Sequence, residues 1–191
     1  VVNGATTLVL DAASRQVLDA QTLSGGIGLI TVGTSVTWID VVKPNGGNTV
    51  AEIGQSARIG TAPGAGPVGG ISMQARAVTE ASTTTHAMSV GGVAATINFA
   101  WVDLNPEVRA SVAESASLKT SFVSPLYDGD VSVLASADHK ASARIKAFAG
   151  GVVGVGVNRA ATTVAPAVRA ELVGALGGHA SIDAAGDVTI A

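Results

Sequence analysis

The residues of this chain with chemistry to offer are few, and they are scattered. His86, His139 and His179 are the three histidines. None has a second His, or any Cys, at metal-ligand spacing, and each reads as an isolated polar-face side chain. Asp128-Gly129-Asp130 and the stretch from Asp183 to Asp187 look like fragments of calcium loops. The Gly-Gly-x-Gly-x-Asp array and the EF-hand spacing are both absent, so plain turn chemistry is the better reading. Ser24 and Ser89 sit beside small residues without a Gly-x-Ser-x-Gly elbow or a supporting Asp-His set. The run Gly150-Gly151-Val152-Val153-Gly154-Val155-Gly156 lacks the Lys-Ser/Thr ending and following helix of a phosphate loop. It reads as strand where another backbone comes close.

One constellation remains. Trp38 and Trp101 are each followed two positions later by an acid, Asp40 and Asp103. In a strand, residues at i and i+2 share a face. Trp38, Asp40, Trp101 and Asp103 thus form a candidate ligand face, on which an indole could stack against a sugar. The competing reading has the two tryptophans closing a core or covering an edge.

Such residues need elements to carry them, and the composition says which. Hydrophobic residues make up 47%, aromatics only 3%, charged residues 13%, and there are 24 Gly. Small β-branched side chains suit a narrow, regular interior. The 11 Lys and Arg are dispersed and the net charge is −3, which argues against nucleic acid as a partner. Without Cys, disulfides and thiolate metal sites are excluded. The longest apolar run, Ala147 to Val157, is about half a membrane span and rich in Gly, so no membrane span is expected.

Self-similarity is the dominant signal. Offsetting residues 71–110 against 131–170 by 60 gives 14 identities in 40 positions without a gap. They include Asn98/Asn158 and the run Pro-x-Val-Arg-Ala at 106–110 and 166–170. The first stretch is more diverged. Trp38-Ile39-Asp40 matches Trp101-Val102-Asp103, and residues 51–59 match 110–118. Similar strands open at Leu8, Ile71, Val131 and Val188. The chain starts at Val1-Val2-Asn3-Gly4 and stops at Val188-Thr189-Ile190-Ala191, inside what reads as a strand, which suggests a fragment of something longer.

Within a unit the apolar period is two, and Gly-Asp and Gly-Gly pairs punctuate it. The expected fold is all-β, a parallel β-helix (β-solenoid) of about three repeats of roughly 60 residues; a β-sandwich is the alternative. Residues 1–191 form one repetitive β domain, with units at 8–70, 71–130 and 131–187. A unit of this length would suit two or three coils. Val153, Val155 and Val157 are expected to point inward, with Val93, Ala95 and Ile97 in equivalent places. The insertion Pro44-Asn45-Gly46-Gly47-Asn48 and the loop Thr61 to Gly70 break the regularity of the first unit.

The unit can be written Gly-Asp-Val-Ser-Val-x-Ala, then Ala/Ser/Thr-rich strands, then Gly-Gly-Val-x-Gly-Val-x-Val-Asn, Val-Arg-Ala and Ala-Ser-Ile. This resembles the repeat arrays of giant bacterial surface proteins: filamentous-haemagglutinin-like adhesins, leukotoxin-type filamentous adhesins and autotransporter passenger domains. The resemblance implies export to the cell surface or medium, a parallel β-helix stalk, and adhesion or matrix building. It carries over no catalytic residue and no cofactor. The expectation is a non-enzymatic structural or adhesive segment that self-associates through strand edges or head to tail, or binds a cell-surface partner. A carbohydrate-binding or carbohydrate-processing β-helix is the alternative.

Overall fold

The computed structural model describes residues 1–42, 47–61, 66, 68–121, 128–174 and 178–191. Residues 44–46 of the insertion, and 62–65 and 67 of the loop, lie outside the described residues. Every regular element described is a strand. Three strands are long: β1 (Leu8–Val42), β4 (Ile71–Asn105) and β7 (Val131–Val164). The others are β2 (Asn48–Ile53), β3 (Arg58–Ile59), β5 (Glu107–Val112), β6 (Ser117–Lys119), β8 (Ala167–Leu172), β9 (Ser181–Asp183) and β10 (Val188–Ile190). They form three sheets, in the orders β1-β4-β7-β10, β2-β5-β8 and β3-β6-β9. All the pairings are parallel, which sets aside the antiparallel sandwich.

The register follows the internal similarity of the sequence. β4 pairs with β7 residue for residue, from Ile71 opposite Val131 to Leu104 opposite Val164. Trp38 lies opposite Trp101, and Asp40 opposite Asp103. Arg109 lies opposite Arg169. Residues 60 apart in β4/β7 and β5/β8, and 63 apart in β1/β4, are therefore direct ladder partners. A unit contributes one strand to the long sheet, and the expectation of two or three coils per unit is corrected. The physical reason is that each long strand doubles back and uses up its residues in depth.

Side-chain contacts show the doubling. Thr22 and Thr37 lie in the same strand, yet their hydroxyls are 2.6 Å apart. In β4, the Thr85 hydroxyl donates to the Phe99 carbonyl at 3.5 Å. In β7, a Cβ placed on Gly154 would come within 2.8 Å of the Ala149 carbonyl oxygen. The bends coincide with Gly28, Gly91 and Gly151, which stand in register. A Cβ on Gly91 would collide with the Gly28 carbonyl, and one on Gly151 with the Gly91 carbonyl. Only glycine permits this backbone approach.

Two interiors result. Where the three sheets converge, Met73, Val108, Val112, Leu118, Val131 and Val133 are fully buried and form one apolar core. Along the doubled-back part a smaller cluster holds Ile39, Val41, Ala81, Val102 and Leu104. Beyond it, toward the bend, the interior turns polar. Thr31, Ser35, Thr37, Thr83, Thr85, Ser89, Thr96 and Asn98 are all buried. Six of them pair across strands: Thr31 with Ser89 at 2.5 Å, Thr37 with Thr85 at 2.8 Å, and Ser35 to Asn98 at 2.7 Å, while the Thr83 hydroxyl has no partner. Asn98 in turn donates to Asn158 at 2.8 Å. Pairing of this kind removes most of the cost of burying hydroxyls and amides.

This polar filling overturns the expected facing of the valines. Val153, Val155 and Val157 are 50%, 56% and 53% exposed. Val93 and Ile97 also face out, and Ala95 is only partly buried. Their neighbours Thr96 and Asn98 take the inside, because the hydrogen-bonded column occupies that parity.

Candidate functional site

All four residues of the candidate face are brought together. The even-numbered side of the returning half of β1 points outward, and Trp38 is 64% exposed. The parallel ladder sets Trp101 beside Trp38, with ring centroids 6.2 Å apart and planes tilted by 55°. Asp40 and Asp103 lie side by side one step further on. Strand alternation positions this set: Ile39, Val41, Val102 and Leu104 point into the apolar cluster, so the residues between them must point out. Among the described residues neither carboxylate has an ion-pair or hydrogen-bond partner.

Two further residues belong to this face and were not singled out from the sequence. Phe99 stacks on Trp101 with centroids 5.1 Å apart and planes 5° from parallel. Its ladder partners are Val36 and Arg159, so no repeated aromatic marked it. Thr163 stands opposite Asp103. A shallow depression of about 240 Å³ is lined by Trp38, Trp101, Val102, Asp103 and Thr163. Phe99 lies on the other side of Trp101 and does not line it.

The outgoing halves of the long strands carry a different surface. Glu80 pairs with Lys140 at 3.7 Å, in an open groove also lined by Asp19 and Arg144. Arg15, Arg76 and Asp138 line the next one. Near the convergence of the sheets Arg109 bridges Glu52 at 3.1 Å and Glu171 at 4.0 Å. These are exposed pairs on sheet faces, each a small contribution to strand registration.

The histidines do not meet. His86 lies opposite Leu23 and Lys146 on the outward side, and His179 is exposed. His139 points inward opposite Thr79, and neither ring nitrogen finds a partner. Burial lowers its pKa from the ordinary histidine value, and the adjacent Asp138 opposes that only in part. No cluster of three or more metal-ligating side chains occurs among the described residues. The Asp130 carboxylate accepts the Asp187 N–H at 2.7 Å, and the Gly186 N–H reaches the Gly129 carbonyl at 3.3 Å. Gly129 holds a φ of +88°. The acidic stretches thus meet each other as stacked turns. No described element is a helix long and apolar enough to cross a membrane.

No family model, curated protein or solved structure matches the chain.

Proposed function

We propose that this chain is a structural and adhesive segment of a secreted or cell-surface bacterial repeat protein, without enzymatic activity. The three sheets are then successive sides of a β-solenoid, with one turn per 60-residue unit. It works as a stalk or filament element, by associating with further copies or by holding a cell-surface partner.

The observation that carries this reading is the in-register pairing of β4 with β7, interrupted only at Gly92 and Val152 at the bend. What this pairing lines up is volume and hydrogen bonding: Ala on Ala, Gly on Gly, Asn on Asn. Catalysis needs an activated nucleophile, an acid–base pair or a metal. The matched positions here serve stacking instead. Strand addition is the natural mode of association, since main-chain hydrogen bonds supply affinity without special side chains.

The test uses the edge of β7. Val131 and Ala135 donate their N–H groups toward Asp187 and Ala191, away from β4. By alternation the Ala137 N–H points to the same side. Light scattering across a concentration series should show association, and Ala137→Pro should suppress it while circular dichroism keeps its β signature. A wild-type chain that stays monomeric throughout overturns the self-association, and one that cleaves a polysaccharide overturns the non-enzymatic reading.

A further inference from the structure

We infer that the depression beside Trp101 is a binding site for one sugar ring of a neutral glycan, with Trp101 as the stacking platform and Asp103 and Thr163 as the hydroxyl-reading rim. This goes beyond the structural role. It draws on that reading only for where the glycan would be met, because the geometry stands without it.

Phe99 fixes the indole. Stacked within 5° of parallel, it covers one face of the Trp101 ring, and the depression, which Phe99 does not line, borders the part of the ring left open. Trp38, tilted by 55° against that ring, closes a second side. The depression is thus bounded by two tilted aromatic rings and by polar residues. The rim consists of the Asp103 carboxylate and the Thr163 hydroxyl, with Asp40 next to Asp103 along the ladder.

A pyranose fits these surfaces in kind. One of its faces is a patch of C–H groups, which an indole covers as it would any apolar surface. Its edge carries hydroxyls, which donate well to an unpaired carboxylate. An alkyl chain would leave the carboxylates unmatched, so it does not fit. A quaternary ammonium prefers rings enclosing it on several sides, whereas only two rings line this depression and one wall is a hydroxyl. At about 240 Å³ the space takes a single ring, below the size of typical ligand clefts. Monovalent affinity should therefore be weak, on the order of 1 mM. A surface array of such sites would gain strength through multivalency.

The two candidate residues make the experiment simple, because Trp38 and Trp101 are the only tryptophans in the chain. Intrinsic indole fluorescence therefore reports on this site and no other. The chain is titrated with the methyl glycosides of glucose, galactose, mannose and N-acetylglucosamine to roughly 100 mM. Tetramethylammonium chloride runs in parallel, and glycerol serves as a blank. At least one glycoside should give a saturable change. Trp38→Phe leaves Trp101 as the sole reporter and should weaken binding less than Trp101→Phe, since it keeps an aromatic flank. Asp103→Asn should weaken binding about threefold to tenfold and Trp101→Phe at least as much, both with an unchanged β-sheet dichroism spectrum. Absence of saturation with all four glycosides overturns the inference. So does tighter binding of tetramethylammonium than of every glycoside, or an Asp103→Asn variant that binds as well as wild type. Self-association is read separately by light scattering, so failure of one proposal leaves the other standing.

Discussion

The start of the long strands and their mid-strand bend solve the same packing problem with opposite chemistry. Where the three sheets converge, the inside is Met73, Leu118, Val131 and their neighbours, and the outside carries ion pairs such as Arg109–Glu52. Toward the bend the inside is Thr, Ser and Asn, while Ile27, Leu29, Ile30, Val32, Val153 and Val155 face out. The first is held by water exclusion, the second by backbone ladders and a hydrogen-bonded side-chain column. The doubled-back part holds its large apolar side chains, Ile39, Val41, Val102 and Leu104, only at the end away from the bend. Short hydroxyls and amides fill the rest at low volume, and the parallel stack pairs Thr31 with Ser89, Thr37 with Thr85 and Ser35 with Asn98 across neighbouring strands.

Substitutions should separate the two regimes. The largest effect is expected at Met73, which is fully buried in the apolar core. Met73→Ala should destabilise by about 2–5 kcal/mol, since it leaves a cavity, and chemical denaturation would measure it. At the bend, Asn98→Ala strands both Ser35 and Asn158. Losing those partners should cost about 1–3 kcal/mol. Equal costs for a hydroxyl-sized and an apolar replacement at this site would show that the column contributes volume only.

A pH series probes the inward-facing His139 between the two regions. Because burial lowers its pKa in the folded state, the unfolded chain binds more protons in the window below the ordinary histidine value. Stability should be intact at neutral pH and fall as the pH drops through about 6.5. The loss levels off once the pH passes below the folded-state pKa. Melting temperatures of wild type and His139→Gln at neutral and mildly acidic pH would check this, with the difference between them shrinking in the variant. The smallest effect belongs to Val155→Asp. At 56% exposed it should shift stability by no more than about 0.5 kcal/mol. A loss of several kcal/mol would mean that the valine side, and not the Asn98 side, is the inside.

That last residue shows what the sequence made legible. Matched side chains stack in parallel ladders, so Trp38/Trp101, Asn98/Asn158 and Gly91/Gly151 could be aligned from identity alone, whereas Gly28 joined that column only through the strand register. All-β structure with parallel pairing followed from the same signal. Facing was harder. Around 151–157 one parity is Val and the other is mostly Gly, so a rule that puts apolar residues inside selects the wrong side. The informative residue was Asn158 at the end of the run, a polar group with an identical partner 60 positions away. In the candidate site the repeated Trp–Asp pairs were visible, but Phe99 was not, because Val36 and Arg159 hold its positions in the neighbouring strands. Its importance comes from lying two residues before Trp101 on one face.

The one-strand-per-unit register also sets how material is spent along an axis. Neighbouring strands are about 4.8 Å apart, and each step between β4 and β7 takes 60 residues. At 18.7 kDa for 191 residues, an array continuing this pairing would carry about 1.2 kDa per ångström. To rise 100 Å from a cell it would need roughly 20 units and some 1,200 residues. Such a body is a fin more than a thread: it gains little reach from each unit and a great deal of flank. Mass-per-length measurement by scanning transmission electron microscopy would recognise it at once, since a fibre of compact coils weighs several times less.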